Sequence, residues 1–165
     1  MNQTTEPAQP IDNVALASVY RLHACNFRIS AETLCLTMEL QGDGRPAKLT
    51  AIPFYFLVSH AAELLLKCAL LKRDVTDDDL KAHGLRHNLG ALLKVLQDRG
   101  CRVSDDTMHL IAGLSPQHQS HELRYTVLAD NGKTTFWPPP SLLFTMLDEL
   151  LSLTAASDFE IRAPS

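Results

Sequence analysis

The chain has 165 residues, of which 45% are hydrophobic and 21% charged, with seven glycines, nine prolines and a formal charge of −4. This length fits one domain, and the composition excludes a disordered or low-complexity chain. The negative charge argues against binding DNA through bulk positive charge. Four scattered cysteines without a C-x-x-C pair predict thiols rather than disulfides. The polar start Met1–Pro10 lacks the features of a secretory signal, so we expect a cytoplasmic protein.

The first segments predict a lead and a long helix. Residues 1–10 are polar and contain two prolines, as in a disordered lead. Apolar residues then recur at intervals of three, four and seven, which is typical of a helix with one apolar stripe. The stripe consists of Leu16, Val19, Tyr20, His23, Phe27, Leu34 and Met38. Asp12 is the predicted N-cap. Residues 33–40 also alternate polar and apolar as in a strand; helix is favoured, ending before the turn 41–46.

The stretch Ile52–Leu71 is the most apolar in the chain and is long enough to cross a membrane. Its polar residues His60, Glu63 and Lys67 are spaced three and four apart, so they share one side of a helix. We therefore predict a central core helix and no membrane span. Pro53 is expected in its first turn, and the basic pair 72–73 favours its C-terminal end.

Three shorter helices are predicted next. Thr76 caps a short one that ends at His83-Gly84, and a second carries apolar residues from Leu85 to Leu96 before Arg99-Gly100. Ser104 caps a third, which is expected to stop at Ser115-Pro116.

The C-terminal third predicts a hairpin and a last helix. The β-prone runs 125–128 and 134–137 flank Asn131-Gly132, a strong hairpin signal. Prolines 138–140 lead into a final helix, and residues 158–165 are expected to fray. The predicted fold class is all-α: an up-and-down bundle of four to five helices with a small β-hairpin inserted before the last helix. One domain, residues 11–157, contains all of it.

Glu63 and Lys67 form an i,i+4 pair on a helix with little polar surface. A buried unpaired charge is costly, so the pair must face a crease and find partners there. Such a crease is either a structural polar network that fixes the register of the helices or a ligand-binding site. The candidate residues are Glu63, Lys67, His87, Asn88, His121 and Arg124. We expect Glu63 and Lys67 to face the start of the helix after His87, with Asn88 as its cap.

Several motifs between residues 50 and 125 occur in a recognisable order. They are Glu63-x-x-x-Lys67, then His83-Gly84-Leu85-Arg86-His87-Asn88-Leu89 followed by Leu92 and Leu93, then Leu123-Arg124-Tyr125. In order and spacing this region resembles the HEPN domain, the higher eukaryotes and prokaryotes nucleotide-binding domain. The resemblance implies a helical bundle that forms homodimers, in bacteria often within toxin–antitoxin or defence systems. It implies binding of a protein partner, a nucleotide or RNA.

Members of that family divide into two functional classes. Many cut RNA without metal, using an arginine and a histidine with four to six residues between them; others are binding modules without catalysis. In this chain only Arg102 and His109 fit the spacing. Two aspartates lie between them, and an RNA-cleaving groove must accept a polyanion. We therefore predict a binding module without catalytic residues, with a metal-independent ribonuclease using Arg102 and His109 as the alternative.

Residue spacing bears on metal binding, and apolar surface bears on dimer formation. The pairs His83/His87 and His118/His121, with Glu63 or Glu122, have spacings that suit a metal on one helix face, but Gly84 and Pro116 interrupt those helices. No metal site and no cofactor are predicted. A homodimer is predicted from surplus apolar surface on the last helix. The residues concerned are Leu142, Leu143, Phe144, Met146, Leu147, Leu150 and Leu151.

Overall fold

A computed structural model describes residues 12–46, 48–82, 84–121, 123 and 137–155. These residues form six α-helices: α1 Asn13–Thr37, α2 Lys48–Leu71, α3 Asp77–Lys81, α4 Leu89–Asp98, α5 Asp105–Gln119 and α6 Pro140–Ala155. The expected mainly helical fold is confirmed. The predicted lead at 1–10, the tail at 158–165 and the hairpin runs 125–128 and 134–137, apart from Trp137, lie outside the described residues, and Trp137 itself is not in a strand. None of the four cysteines, all within the described part, forms a disulfide.

Helix α1 begins and ends where its capping groups are. The Asp12 side chain accepts a hydrogen bond from the Val14 amide at 3.1 Å, as predicted. Of the ambiguous stretch 33–40, residues 33–37 are helical, so the helical interpretation is confirmed there; the helix ends at Thr37, and the expectation that it includes Met38 is wrong. The chain becomes extended at Met38, and Leu40 pairs with Pro46 across the turn in an isolated bridge.

Two apolar faces run along α1, where the sequence predicted one stripe. The buried face repeats every seven residues at Ala17, Ala24 and Ala31, and these small side chains let α1 approach α2 closely. Val19 and His23 belong to the stripe that the sequence predicts, but both are exposed. Apolar residues spaced three and four apart occur on both faces of α1, so the spacing alone could not show which face is buried.

Helix α2 is the core of the molecule, in contact with α1, α4, α5 and α6. Among the described residues, the segment Ala51–Leu71 is long and apolar enough to cross a membrane, and 78% of its 18-residue apolar window is buried inside the molecule. Pro53 lies inside the helix and not in the first turn, because the helix already begins at Lys48. Pro53 is exposed, and at this position it removes a single backbone hydrogen bond.

The ends of α3 and α4 follow local capping rules. Thr76 and Asp79 form a capping box at the start of α3, which ends at Lys81, before the predicted His83-Gly84. Leu85 lies in the turn before α4 and not in the helix. At the end of α4, Gly100 has a φ of 84°, a left-handed conformation that glycine adopts without strain. Its amide donates to the Gln97 carbonyl and closes the helix.

Helix α5 continues through the proline that was expected to end it. Ser104 caps its start as predicted, but the helix runs past Pro116 to Gln119. The reason is tertiary packing: Gln117 and His118 are buried after the proline, and Ser115 is held by α4. This extra turn carries His118 into the core, which matters for the site.

Candidate functional site

The carboxylate of Glu63 is 1% exposed and lies among four basic side chains. Lys67 Nζ is 2.7 Å from Oε1. The other oxygen, Oε2, is 2.7 Å from His118 Nε2, 3.1 Å from His87 Nδ1 and 3.6 Å from His60 Nδ1. We call His60, Glu63, Lys67, His87 and His118 the Glu63 cluster.

Three separate parts of the chain build this cluster. Helix α2 supplies His60, Glu63 and Lys67 from one side, as their spacing predicted. The turn before α4 supplies His87, and the last turn of α5 supplies His118. The site therefore exists only when α2, α4 and α5 are packed together.

The electrostatics of the cluster keep Glu63 ionised. Burial alone would raise the pKa of this carboxyl, but the contacts with His118, His60 and Lys67 outweigh burial and hold the pKa well below its usual range. An ionised carboxylate can only accept hydrogen bonds, so His118 donates through Nε2 and His87 through Nδ1. A carboxylate held in this state is a poor general base, and the arrangement is suited to holding positive charge.

Two histidines at the site have an unusual backbone conformation. His87 has a φ of 58° and His121 a φ of 60°, both in the left-handed region that residues other than glycine rarely adopt. Their rings lie against each other with centroids 5.1 Å apart, and the His87 ring also touches that of His118. Such conformations persist only when the surrounding structure enforces them, and they concentrate at functional sites.

Asn88 connects the cluster to the helices behind it. Its side chain accepts from the Ala91 amide at 3.0 Å and caps α4, as expected. It also accepts from the Ser115 hydroxyl at 3.2 Å, while Ser115 accepts from the Gly90 amide at 3.0 Å. The start of α4 is thereby fixed against the end of α5, on either side of Glu63.

The structure brings together Glu63, Lys67, His87, Asn88 and His121 of the predicted polar crease. The sixth candidate, Arg124, lies outside the described residues, as do His83 and Glu122 of the metal candidates.

Two members of the cluster, His60 and His118, were not in the predicted crease. His60 could have been found, because it lies three residues before Glu63 on the same side of α2. His118 lies seven residues after the buried Ile111, so continuing the apolar face of α5 past Pro116 would have found it.

The structure also locates the two alternative catalytic residues. Arg102 is exposed in the loop before α5, and His109 is exposed on the first turns of that helix. The His109 ring donates through Nδ1 to the Asp105 carbonyl at 2.8 Å. Neither residue belongs to the Glu63 cluster.

The apolar residues of the last helix are largely used within the chain. Leu143, Met146, Leu147 and Leu150 are buried, and Leu142 is 48% exposed. The surplus apolar surface expected on α6 is therefore mostly core. Most of the large exposed apolar side chains of the described part lie on α1, and the others are Leu40 and Leu142.

No protein-family model matches the chain, and no match is found among curated proteins or solved structures.

Proposed function

We propose that this chain is a cytoplasmic, HEPN-like helical interaction module that acts as a homodimer and does not cut RNA. The dimer forms through the outer face of α1. The observation that carries the proposal is an exposed stripe with the seven-residue repeat of a coiled coil.

This outer stripe of α1 advances by alternating steps of four and three residues. Its members, all exposed, are Ala15, Val19, Leu22, Asn26, Ile29, Thr33 and Leu36. Leu22, Ile29 and Leu36 are 61%, 58% and 88% exposed, which is unusual for side chains of this size. Such a repeat is what one helix presents to another in a coiled coil. Along the axis the stripe extends for about 32 Å.

The best-fitting occupant of the outer stripe is the same helix of a second copy. No charged residue lies within the stripe, so two copies meet without repulsion between like charges. Asn26 stands at its middle, near the axis of a two-fold pair, where two Asn26 amides can bond to each other. A single polar residue in an apolar seam is a known device for fixing register and oligomeric state.

The absence of nuclease activity is proposed from the environment of Arg102 and His109. Cleavage of this kind needs both groups in a groove that accepts a polyanion. Asp105 and Asp106 lie between them in the first turn of α5. Their negative charges interact favourably with the positive end of the helix dipole, and they repel a phosphate group. His109 also uses one ring nitrogen to bond its own helix.

The dimer is tested by sedimentation of the full chain at about 50 μM, a range in which micromolar association is populated. We expect the wild type to be a dimer. Leu22→Glu should be a monomer, because it places a charge in the seam and weakens association at least about 100-fold, roughly 2.7 kcal/mol. The matched control is Leu142→Glu, which adds the same charge at an exposed leucine of α6 and should remain a dimer.

Each other result of this experiment rejects the assignment. A monomeric wild type contradicts the dimer. If Leu142→Glu dissociates and Leu22→Glu does not, the interface is on α6.

The absence of nuclease activity is tested by incubating the purified protein with labelled RNA. We expect no cleavage above background with wild type, Arg102→Ala or His109→Ala. RNA cleavage lost on His109→Ala in folded protein establishes the ribonuclease instead.

A further inference from the structure

We propose that His60, Glu63 and His118, with His87 as the fourth group, bind one divalent transition-metal ion of the zinc class. This inference does not depend on the dimer or on the absence of nuclease activity. It rests on the number, type and separation of the donor atoms in the Glu63 cluster.

The ligand atoms of His60, Glu63 and His118 lie close enough together for one metal ion, and His87 Nδ1 lies beside the same carboxylate oxygen. His60, Glu63 and His118 each offer one ligand atom, and these atoms all lie within 4.8 Å of one another. In a tetrahedral zinc site with bonds of about 2.0–2.1 Å, neighbouring ligand atoms are about 3.3 Å apart. The three nitrogens lie 2.7, 3.1 and 3.6 Å from Glu63 Oε2, which brackets that value.

A purely structural hydrogen-bond network explains this geometry less well. Two imidazole N–H groups already reach Oε2, from His118 and His87. His60 Nδ1 lies 3.6 Å from the same oxygen, which is too far for a hydrogen bond. This nitrogen is buried and has no hydrogen-bond partner among the described residues, as expected of a ligand atom whose site is built for an additional atom.

The donor set selects the class of ion. Three imidazole nitrogens and one carboxylate oxygen suit zinc, cobalt or nickel, whereas calcium and magnesium prefer oxygen alone. The walls fix the ligands: the ring of Phe27 meets that of His60 edge-on with centroids 4.5 Å apart, and Phe56 stacks on its face at 5.8 Å. To bind the ion, the His118 and His87 nitrogens that now donate to Glu63 must lose their protons to solvent or to the other ring nitrogen.

Lys67 is the group that opposes an ion at this position. Its ammonium holds Glu63 Oε1 at 2.7 Å, so metal and lysine compete for one carboxylate. The Lys67 side chain is 12% exposed and flexible, which allows its head to move toward solvent when the ion enters. The competition provides a test, because removal of Lys67 should strengthen metal binding while it weakens the metal-free fold.

The experiment uses the full chain stripped with a chelator and titrated with Co²⁺, followed by visible absorption and then by displacement with Zn²⁺. We expect one ion per chain, with the intense absorption of tetrahedral cobalt bound to nitrogen. His118→Gln and Glu63→Gln should each weaken binding at least about 100-fold. The matched control is His109→Ala, an exposed histidine of the same helix as His118, which should bind as the wild type does.

Lys67→Met is the second variant, and it keeps the test decisive if the core variants do not fold. We expect it to bind Co²⁺ about tenfold more tightly than the wild type, because a neighbouring positive charge has been removed. The proposal is overturned by absence of binding up to about 100 μM Co²⁺, by equal loss in His118→Gln and His109→Ala, or by unchanged or weaker binding in Lys67→Met. Circular dichroism identifies variants that have unfolded, and for these the Lys67→Met result decides.

Discussion

Glu63 combines burial with a full negative charge, a state that is stable only when nearby groups replace the lost hydration. Its contacts with Lys67, His87 and His118 supply that replacement. Each contact is charge-assisted and therefore stronger than a neutral hydrogen bond. Removing the charge of Glu63 leaves its basic partners in the core without a charged acceptor. The loss in free energy of unfolding is therefore larger than for the same change at an exposed acid.

This balance predicts a pH dependence. The pKa of Glu63 in the folded chain is lowered, whereas in the unfolded chain it is about 4.3. Below that pH the unfolded state takes up the proton and the folded state does not, so stability is lost as the pH falls. We expect the free energy of unfolding to fall less steeply in Glu63→Gln than in the wild type between about pH 5 and pH 3.

Urea denaturation across this pH range measures the effect. At pH 7 Glu63→Gln should already be about 1–3 kcal/mol less stable than the wild type. The control is Glu39→Gln, a change at an exposed acid, which should follow the wild-type curve. Parallel curves for wild type and Glu63→Gln would contradict the assigned charge state.

The partners of Glu63 could be predicted from sequence only in part. The contact with His87 follows from two local facts: a polar side on an apolar helix, and a histidine directly before a capping asparagine. The contact with His118 could be predicted only if α5 was known to continue past Pro116, and that continuation depends on contacts between distant residues. Propensity at a proline argues for a helix end, but burial of Gln117 and His118 outweighs it.

At the level of elements, the start of α5 is held by a residue of α6. Glu149 accepts hydrogen bonds from the Ser104 amide at 2.6 Å, from the Ser104 hydroxyl at 2.7 Å and from the Thr107 hydroxyl. Burial would raise the pKa of Glu149, but these bonds outweigh it and lower the pKa. One carboxylate thus joins two helices.

We expect Glu149→Gln to lower the free energy of unfolding by about 1–2 kcal/mol at pH 7, because the amide accepts these bonds with one neutral oxygen. Chemical denaturation measures the loss. The neighbouring Asp148→Asn is the control: that acid is 56% exposed and pairs with Arg28 at the surface, so about 0–1 kcal/mol is expected. Equal losses in the two variants would show that Glu149 is an ordinary surface acid.

The sequence of α1 predicts that the helix exists but not which of its faces is buried. Its extent and its N-cap could be predicted because both depend on neighbouring residues. The direction of its faces could not, since Ala17 and Leu22 each belong to a seven-residue repeat. Size alone would have placed the leucines inside, yet the alanines are buried because α2 packs close to them.

For the whole molecule, the position of α2 could be predicted and the arrangement around it could not. A helix that is apolar on nearly all sides is stable only where other helices cover those sides, which is at the centre of the bundle. Which helices surround it depends on pairings between distant parts of the chain. The contacts of α2 with α1, α4, α5 and α6 are such pairings.

The central position of α2 has a consequence for how the molecule opens. Its middle residues cannot reach solvent unless helices on several sides separate together, so their amide hydrogens should exchange with deuterium only through global unfolding. We expect the amides of residues 58–66 to be the slowest in the chain, with an opening free energy equal to that from denaturation. Amides of α1 should exchange faster through local fraying. Faster amide exchange in α2 than in α6 would contradict this expectation and would show that the core opens by local rather than global unfolding.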